Sequence, residues 1–154
     1  MTWPAAIDGK FSGRPWTSDA AYLTSRPGQR ADFYGPPESF DSAQIAYEEQ
    51  FNKDAVSVTE LTDITLRSYT DLTRQITEPV LWTPGQFDKI WCGTTNDCFT
   101  DPEIANEPTF YQPGVLTLDV IANTGHATLL GYGGADYLAT VQDWLDSIGI
   151  HGVP

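Results

Sequence analysis

Apolar positions along the chain fall into helical stripes and short continuous runs. From Asp41, which is placed to cap, Ile45, Tyr47 and Phe51 recur at rough helical spacing. Ser57-Val58-Thr59-Glu60 has the form of a capping box. In such a box the serine and glutamate side chains each satisfy a free backbone N–H of the other residue. Leu61, Ile64, Tyr69, Leu72 and Ile76 then predict one apolar stripe on a helix that ends near Thr77. Pro79 stops that helix, and Val80-Leu81-Trp82 is a continuous apolar run of buried-strand type. Leu116 to Ile121 is a second run. Leu138, Val141, Trp144, Leu145 and Ile148 mark the core face of a last amphipathic helix, which Gly149 terminates.

Strand, long crossover, strand, helix is the order that builds a parallel sheet covered by helices, so the expected class is α/β. Two strands are too few for a stable sheet, and partner strands are therefore expected. Residues 1 to about 40 are different. Arg26-Pro27-Gly28 and Gly35-Pro36-Pro37 interrupt any regular element, yet Phe11, Trp16, Tyr22, Phe33 and Tyr34 are too many aromatics for a disordered tail. This segment is expected to be irregular and packed.

Composition narrows the functional classes. The chain has 154 residues, enough for one domain with a core, and a net charge of -13. A strongly acidic surface argues against nucleic acid and anionic membranes as partners. No apolar run is long enough for a membrane span, and Met1-Thr2-Trp3-Pro4 lacks a signal-peptide pattern. The expectation is an intracellular soluble chain or a processed part of something longer. Cys92 and Cys98 flank a turn-forming segment with Gly93, Asn96 and Asp97. They either close as a disulfide, which would favour an extracellular setting, or remain two thiols. Only His126 and His151 could join them around a metal, at a spacing that matches no zinc pattern, so neither metal nor cofactor is expected.

Two stretches carry candidate chemistry. Val120-Ile121-Ala122-Asn123-Thr124-Gly125-His126-Ala127 is an apolar strand end, a turn through glycine, and a histidine. Pro79-Val80-Leu81-Trp82-Thr83-Pro84-Gly85-Gln86-Phe87-Asp88 repeats that design with an aspartate. Functional groups of parallel α/β sheets collect beyond the carboxyl ends of the strands, and neighbouring strands lie about 4.8 Å apart. If these two strands are neighbours, Asp88 can reach His126, fix its tautomer and leave the other ring nitrogen to take a proton from a hydroxyl. His151, just past the helix stop, is expected on the surface.

These stretches, followed by Trp144-Leu145, resemble the C-terminal part of an α/β hydrolase, in which the acid follows a late strand and the histidine the last one. Tyr22-Leu23-Thr24-Ser25-Arg26-Pro27-Gly28 with Phe33-Tyr34, and Asp54-Ala55-Val56 through Glu60-Leu61, resemble the cap of bacterial and fungal members. The resemblance implies a mostly helical cap over residues 1–77. Residues 78–154 would then be the last two parallel strands of the hydrolase core with their covering helices. Asp88 takes the place of the triad acid and His126 that of the base. The substrate would be a small molecule with an ester or amide bond. The family's Gly-x-Ser-x-Gly elbow is missing. The nearest stretch, Lys10-Phe11-Ser12-Gly13-Arg14, lacks the flanking glycines in the right places and follows no strand. The implied protein is a partial hydrolase that contributes acid and base, is inactive alone, and has its sheet completed by a second chain or by self-association. The alternative is a non-catalytic binding protein that keeps part of the fold and uses its N-terminal aromatics for a pocket or an interface.

Overall fold

A computed structural model of the chain describes residues 21–25, 27–52, 55–60, 62, 70–93 and 95–151. Trp3, Phe11, Ser12, Trp16, Asp54, Leu61, Ile64 and Tyr69, singled out above, lie outside them. The fold is mixed α/β and divides into two compact units, Met1–Arg30 with Ser42–Ser68, and Ala31–Asp41 with Tyr69–Pro154.

In the first unit β1 (Tyr22–Leu23) pairs antiparallel with β2 (Val56–Ser57), Tyr22 lying opposite Ser57. The expected capping box forms. The Ser57 amide donates to Glu60 Oε2 over 3.0 Å, and the Glu60 amide donates to Ser57 Oγ over 3.1 Å. The helix at Ser42–Phe51, whose first turn follows Asp41, buries Ile45 but leaves Tyr47 and Phe51 exposed and packed on each other at 4.9 Å. Positions 47 and 51 share one stripe of the helix and 45 and 48 another, and the core takes the second. Glu48 is therefore buried. Its carboxylate accepts from Asn52 Nδ2 at 2.9 Å and Gln44 Nε2 at 3.2 Å and meets the Arg30 guanidinium at 3.5 Å. Burial of that charge is tolerable because donors surround it.

The second unit opens with a short helix, α1 (Ala31–Tyr34); the Ser42–Phe51 helix is α2. Next comes α3 (Thr70–Thr73), which stops before the expected Thr77. The Gln75 and Ile76 amides close tight turns onto Leu72 and Thr73, and the Thr73 hydroxyl donates to the Phe110 carbonyl at 2.7 Å. Then β3 (Val80–Trp82) pairs parallel with β4 (Leu116–Leu118), Val80 opposite Leu116 and Trp82 opposite Leu118. The expected second strand is shorter than Leu116 to Ile121, but the pairing resumes as a parallel bridge between Gly85 and Ile121.

The crossover between the strands holds α4 (Pro102–Asn106). Its N-cap Asp101 accepts from the Glu103 amide at 2.9 Å, and Pro102 stands where no amide is needed. Ile104 of α4 joins Cys92 and Cys98 in a buried cluster on which Trp82, Leu118 and Val120 pack. The opposite face of the strand pair meets α5 (Gly134–Ser147), where the Thr140 hydroxyl donates to Asp119. The stripe expected to be core is only half-buried at Val141, Trp144, Leu145 and Ile148, and Leu138 is 58% exposed. Two strands are too narrow to cover it. Among the described residues no helix is long and apolar enough to cross a membrane.

Candidate acid–base site

The loops that leave β3 and β4 are zipped together. The Gln86 amide donates to the Ile121 carbonyl at 2.8 Å and the Phe87 amide to the Thr124 carbonyl at 2.9 Å. In return the Asn123 amide donates to Gln86 Oε1. The loops come so close at Gly85 that an added Cβ would collide with the Gly125 carbonyl oxygen and lie 2.7 Å from that of Thr124. Only glycine fits so near another backbone. The parallel register then decides what meets beyond the strands. Asp88 lies three residues past Gly85 and His126 five past Ile121, on the same rim.

The structure brings the two expected side chains together. His126 Nδ1 and Asp88 Oδ2 are 2.9 Å apart. Asp88 is 1% exposed, whereas the His126 side chain is 39% exposed. The other carboxylate oxygen, Oδ1, accepts from the Ile90 amide at 2.9 Å and the Trp91 amide at 3.1 Å. The carboxylate therefore accepts three hydrogen bonds and its orientation is fixed. An ionised carboxylate only accepts, so Nδ1 carries a proton, and in the neutral ring Nε2 is the remaining acceptor. Among the described residues Nε2 makes no hydrogen bond.

The turn that carries Asp88 is braced by a disulfide between Cys92 and Cys98, both buried. The Cys92 amide bonds back to the Asp88 carbonyl, and the Cys98 amide bonds to the Gln86 carbonyl. Two contributors escaped the sequence reading. Trp91 is 47% exposed, stands with its ring 6.5 Å from the His126 ring and packs nearly perpendicular to the Trp82 ring. Thr124 is fully buried and its hydroxyl donates to the Thr128 carbonyl at 2.8 Å, which fixes the turn around His126. Trp91 follows Asp88 within one turn, which is a faint signal; Thr124 has none. His151 is exposed and pairs with Asp146 on the surface, away from this constellation in the chain. No three His, Cys, Asp or Glu side chains are grouped to hold a metal among the described residues.

No protein-family model matches this chain, and comparison with curated proteins gives no significant match.

Proposed function

We propose that this chain is the acid–base part of a hydrolase of the α/β-hydrolase type, acting on an ester or amide once a hydroxyl nucleophile is supplied by another polypeptide. The observation that carries the reading is the 2.9 Å contact of buried Asp88 with Nδ1 of half-exposed His126 at the carboxyl rim of two parallel strands. In the proposed reaction Nε2 removes the proton of the incoming hydroxyl as its oxygen attacks the acyl carbon. Asp88 stabilises the imidazolium that results. The imidazolium then protonates the leaving alkoxide or amine as the acyl bond breaks, and one water reverses the sequence to free the acid. Each half-cycle returns His126 to neutral.

The sequence offers no nucleophile elbow, so the isolated chain lacks two parts of that machine. Loss of a triad member alone removes at least about 10⁴-fold in rate, and the oxyanion donors add to the deficit. The test is a fluorophosphonate probe and an activated ester. The chain alone remains unlabelled and turns over no ester above background. In a complex with a polypeptide that bears a Gly-x-Ser-x-Gly elbow, labelling appears on the partner's serine and His126→Ala abolishes it. A serine of this chain labelled in isolation, or labelling of the complex that survives the histidine substitution, refutes the assignment.

A further inference from the structure

We infer that Trp91 is a substrate-contacting residue that selects a planar aromatic ring on the leaving-group side of the scissile bond. The inference rests on the acid–base reading of Asp88 and His126 and adds a substrate class to it. Single exposed apolar side chains are common on protein surfaces and carry no meaning by themselves. Trp91 differs in how it is held. Its amide donates to Asp88 Oδ1 at 3.1 Å, so the carboxylate that orients His126 also fixes the backbone of the tryptophan. The next residue, Cys92, is tied by its amide to the Asp88 carbonyl and by its sulfur to Cys98, and both cysteines are buried. The indole packs on the ring of Trp82, the last residue of β3, at 6.1 Å and an angle of 88°. Held at backbone and ring, Trp91 still keeps 47% of its surface exposed, and the His126 ring stands beside it, tilted by 41°. An apolar surface fixed in advance loses little freedom when a ligand covers it.

The reaction decides which half of the substrate meets this surface. Nε2 hands its proton to the leaving oxygen or nitrogen, so that atom comes within hydrogen-bond reach of the imidazole. The acyl carbon must instead meet the hydroxyl that the partner supplies. The substituent of the leaving atom is therefore the part of the substrate that lies beside His126, where Trp91 stands. A ring one or two bonds from that atom comes over the indole. Aromatic pairs settle offset-stacked or edge-to-face with centroids about 4.5–7 Å apart, and they hold each other more tightly than their buried area alone provides. A saturated ring of the same size gains the area and nothing more.

The experiment measures binding to the full chain alone, with N-benzylacetamide and N-(cyclohexylmethyl)acetamide as probes. Both are inert amides, and they differ only in the ring. Titrations are followed by NMR through the indole N–H of Trp91 and the Hε1 proton of His126. The benzyl compound binds about fivefold more tightly than its saturated twin, the scale of an aromatic pair, and shifts both signals. Trp91→Ala removes the preference and Trp91→Phe keeps it, with the Nδ1 proton signal of His126 reporting that the acid–base pair persists. The inference is overturned if the unaltered chain binds the two amides equally or if neither moves the two signals. It is overturned as well if Trp91→Ala retains the preference, or if Trp91→Phe loses it with the Nδ1 signal intact. The reaction itself is decided separately, by probe labelling of the complex, so either reading can fail without the other.

Discussion

Replacing Asp88 separates its two jobs, because each carboxylate oxygen has different partners. Oδ1 accepts from the Ile90 and Trp91 amides, and Oδ2 meets Nδ1 of His126. In Asp88→Asn the amide oxygen must stay with the two backbone N–H groups, since an NH2 there would oppose donor to donor. The amide nitrogen then faces Nδ1, which becomes an acceptor, and the ring proton moves to Nε2. Charge-assisted bonds of about 1.5–3 kcal/mol become neutral ones near 1 kcal/mol, so Asn costs about 1–2 kcal/mol of stability. Asp88→Ala strands the backbone donors as well and costs about 2–4 kcal/mol, a large share of the roughly 5–15 kcal/mol that holds a domain together. Urea denaturation followed by tryptophan fluorescence reads the stability. Nitrogen-15 spectra of the histidine ring distinguish Nδ1–H from Nε2–H, with His151 as the control on the surface. If Nδ1 stays protonated in the Asn variant, or the Ala variant loses less than about 0.5 kcal/mol, the pair does not work as described. In a complex that turns over substrate, the Asn variant loses about 10⁴-fold in kcat, the scale on which a wrong tautomer acts in a triad.

Other consequences follow from neighbouring residues. Removal of the disulfide by Cys92→Ala with Cys98→Ala opens a short loop and lowers stability by about 2 kcal/mol in urea denaturation, and the Nδ1 proton signal of His126 broadens because the brace under Asp88 is gone. Gly85→Ala forces a methyl into the Gly125 carbonyl and costs about 3 kcal/mol or more, with Asp88 and His126 separating in nuclear Overhauser spectra. Ser57 holds Glu60 below its ordinary carboxylate range, through the backbone amide first and the hydroxyl second. Its stabilising contribution is therefore present above about pH 4.3 and is lost as pH falls through the lowered value, a dependence that Glu60→Gln removes from the acid limb of a pH–stability curve. Partial burial raises Glu107. The sign reverses there: stability declines as pH rises from about 4.3 through the raised value, and Glu107→Gln flattens that limb.

What the sequence made legible were features fixed by local rules. Val80 to Trp82 is bounded by prolines on both sides, and its apolar run forms a strand at those residues. The capping box at Ser57 and Glu60 closes as its spacing requires. Asp88 and His126 could be paired because both follow apolar strands at similar offsets, and parallel register converts offset into proximity. Features set by packing were hidden. On α2, Tyr47 and Phe51 read as core by hydrophobicity, but the buried stripe is that of Ile45 and Glu48, and a buried glutamate is recognisable only when Arg30, Gln44 and Asn52 are seen around it. At the end of α3 the Thr73 hydroxyl bonds to Phe110, thirty-seven residues away, a contact no local pattern records. Trp91 stands beside His126 through a fold of the Asp88 turn that no periodicity records.

The carboxyl rim of the strand pair and its flanks are finished to different degrees, and the difference bears on how the site works. At the carboxyl rim the loops bond to each other, the disulfide is buried, and the carboxylate has all its donors. On the strands and the helix above them, the residues of β3 and the apolar stripe of α5 are left half-covered. A rim ordered by its own bonds needs no partner to set the distance from Asp88 to His126. Geometry of the acid and base would then be a property of this chain alone, and only the reacting hydroxyl would arrive with the partner. The nitrogen-15 signature of His126 should therefore be the same in the free chain and in any active complex. A ring that changes tautomer on assembly would show that the pair is built by the partner and not by the zipped loops.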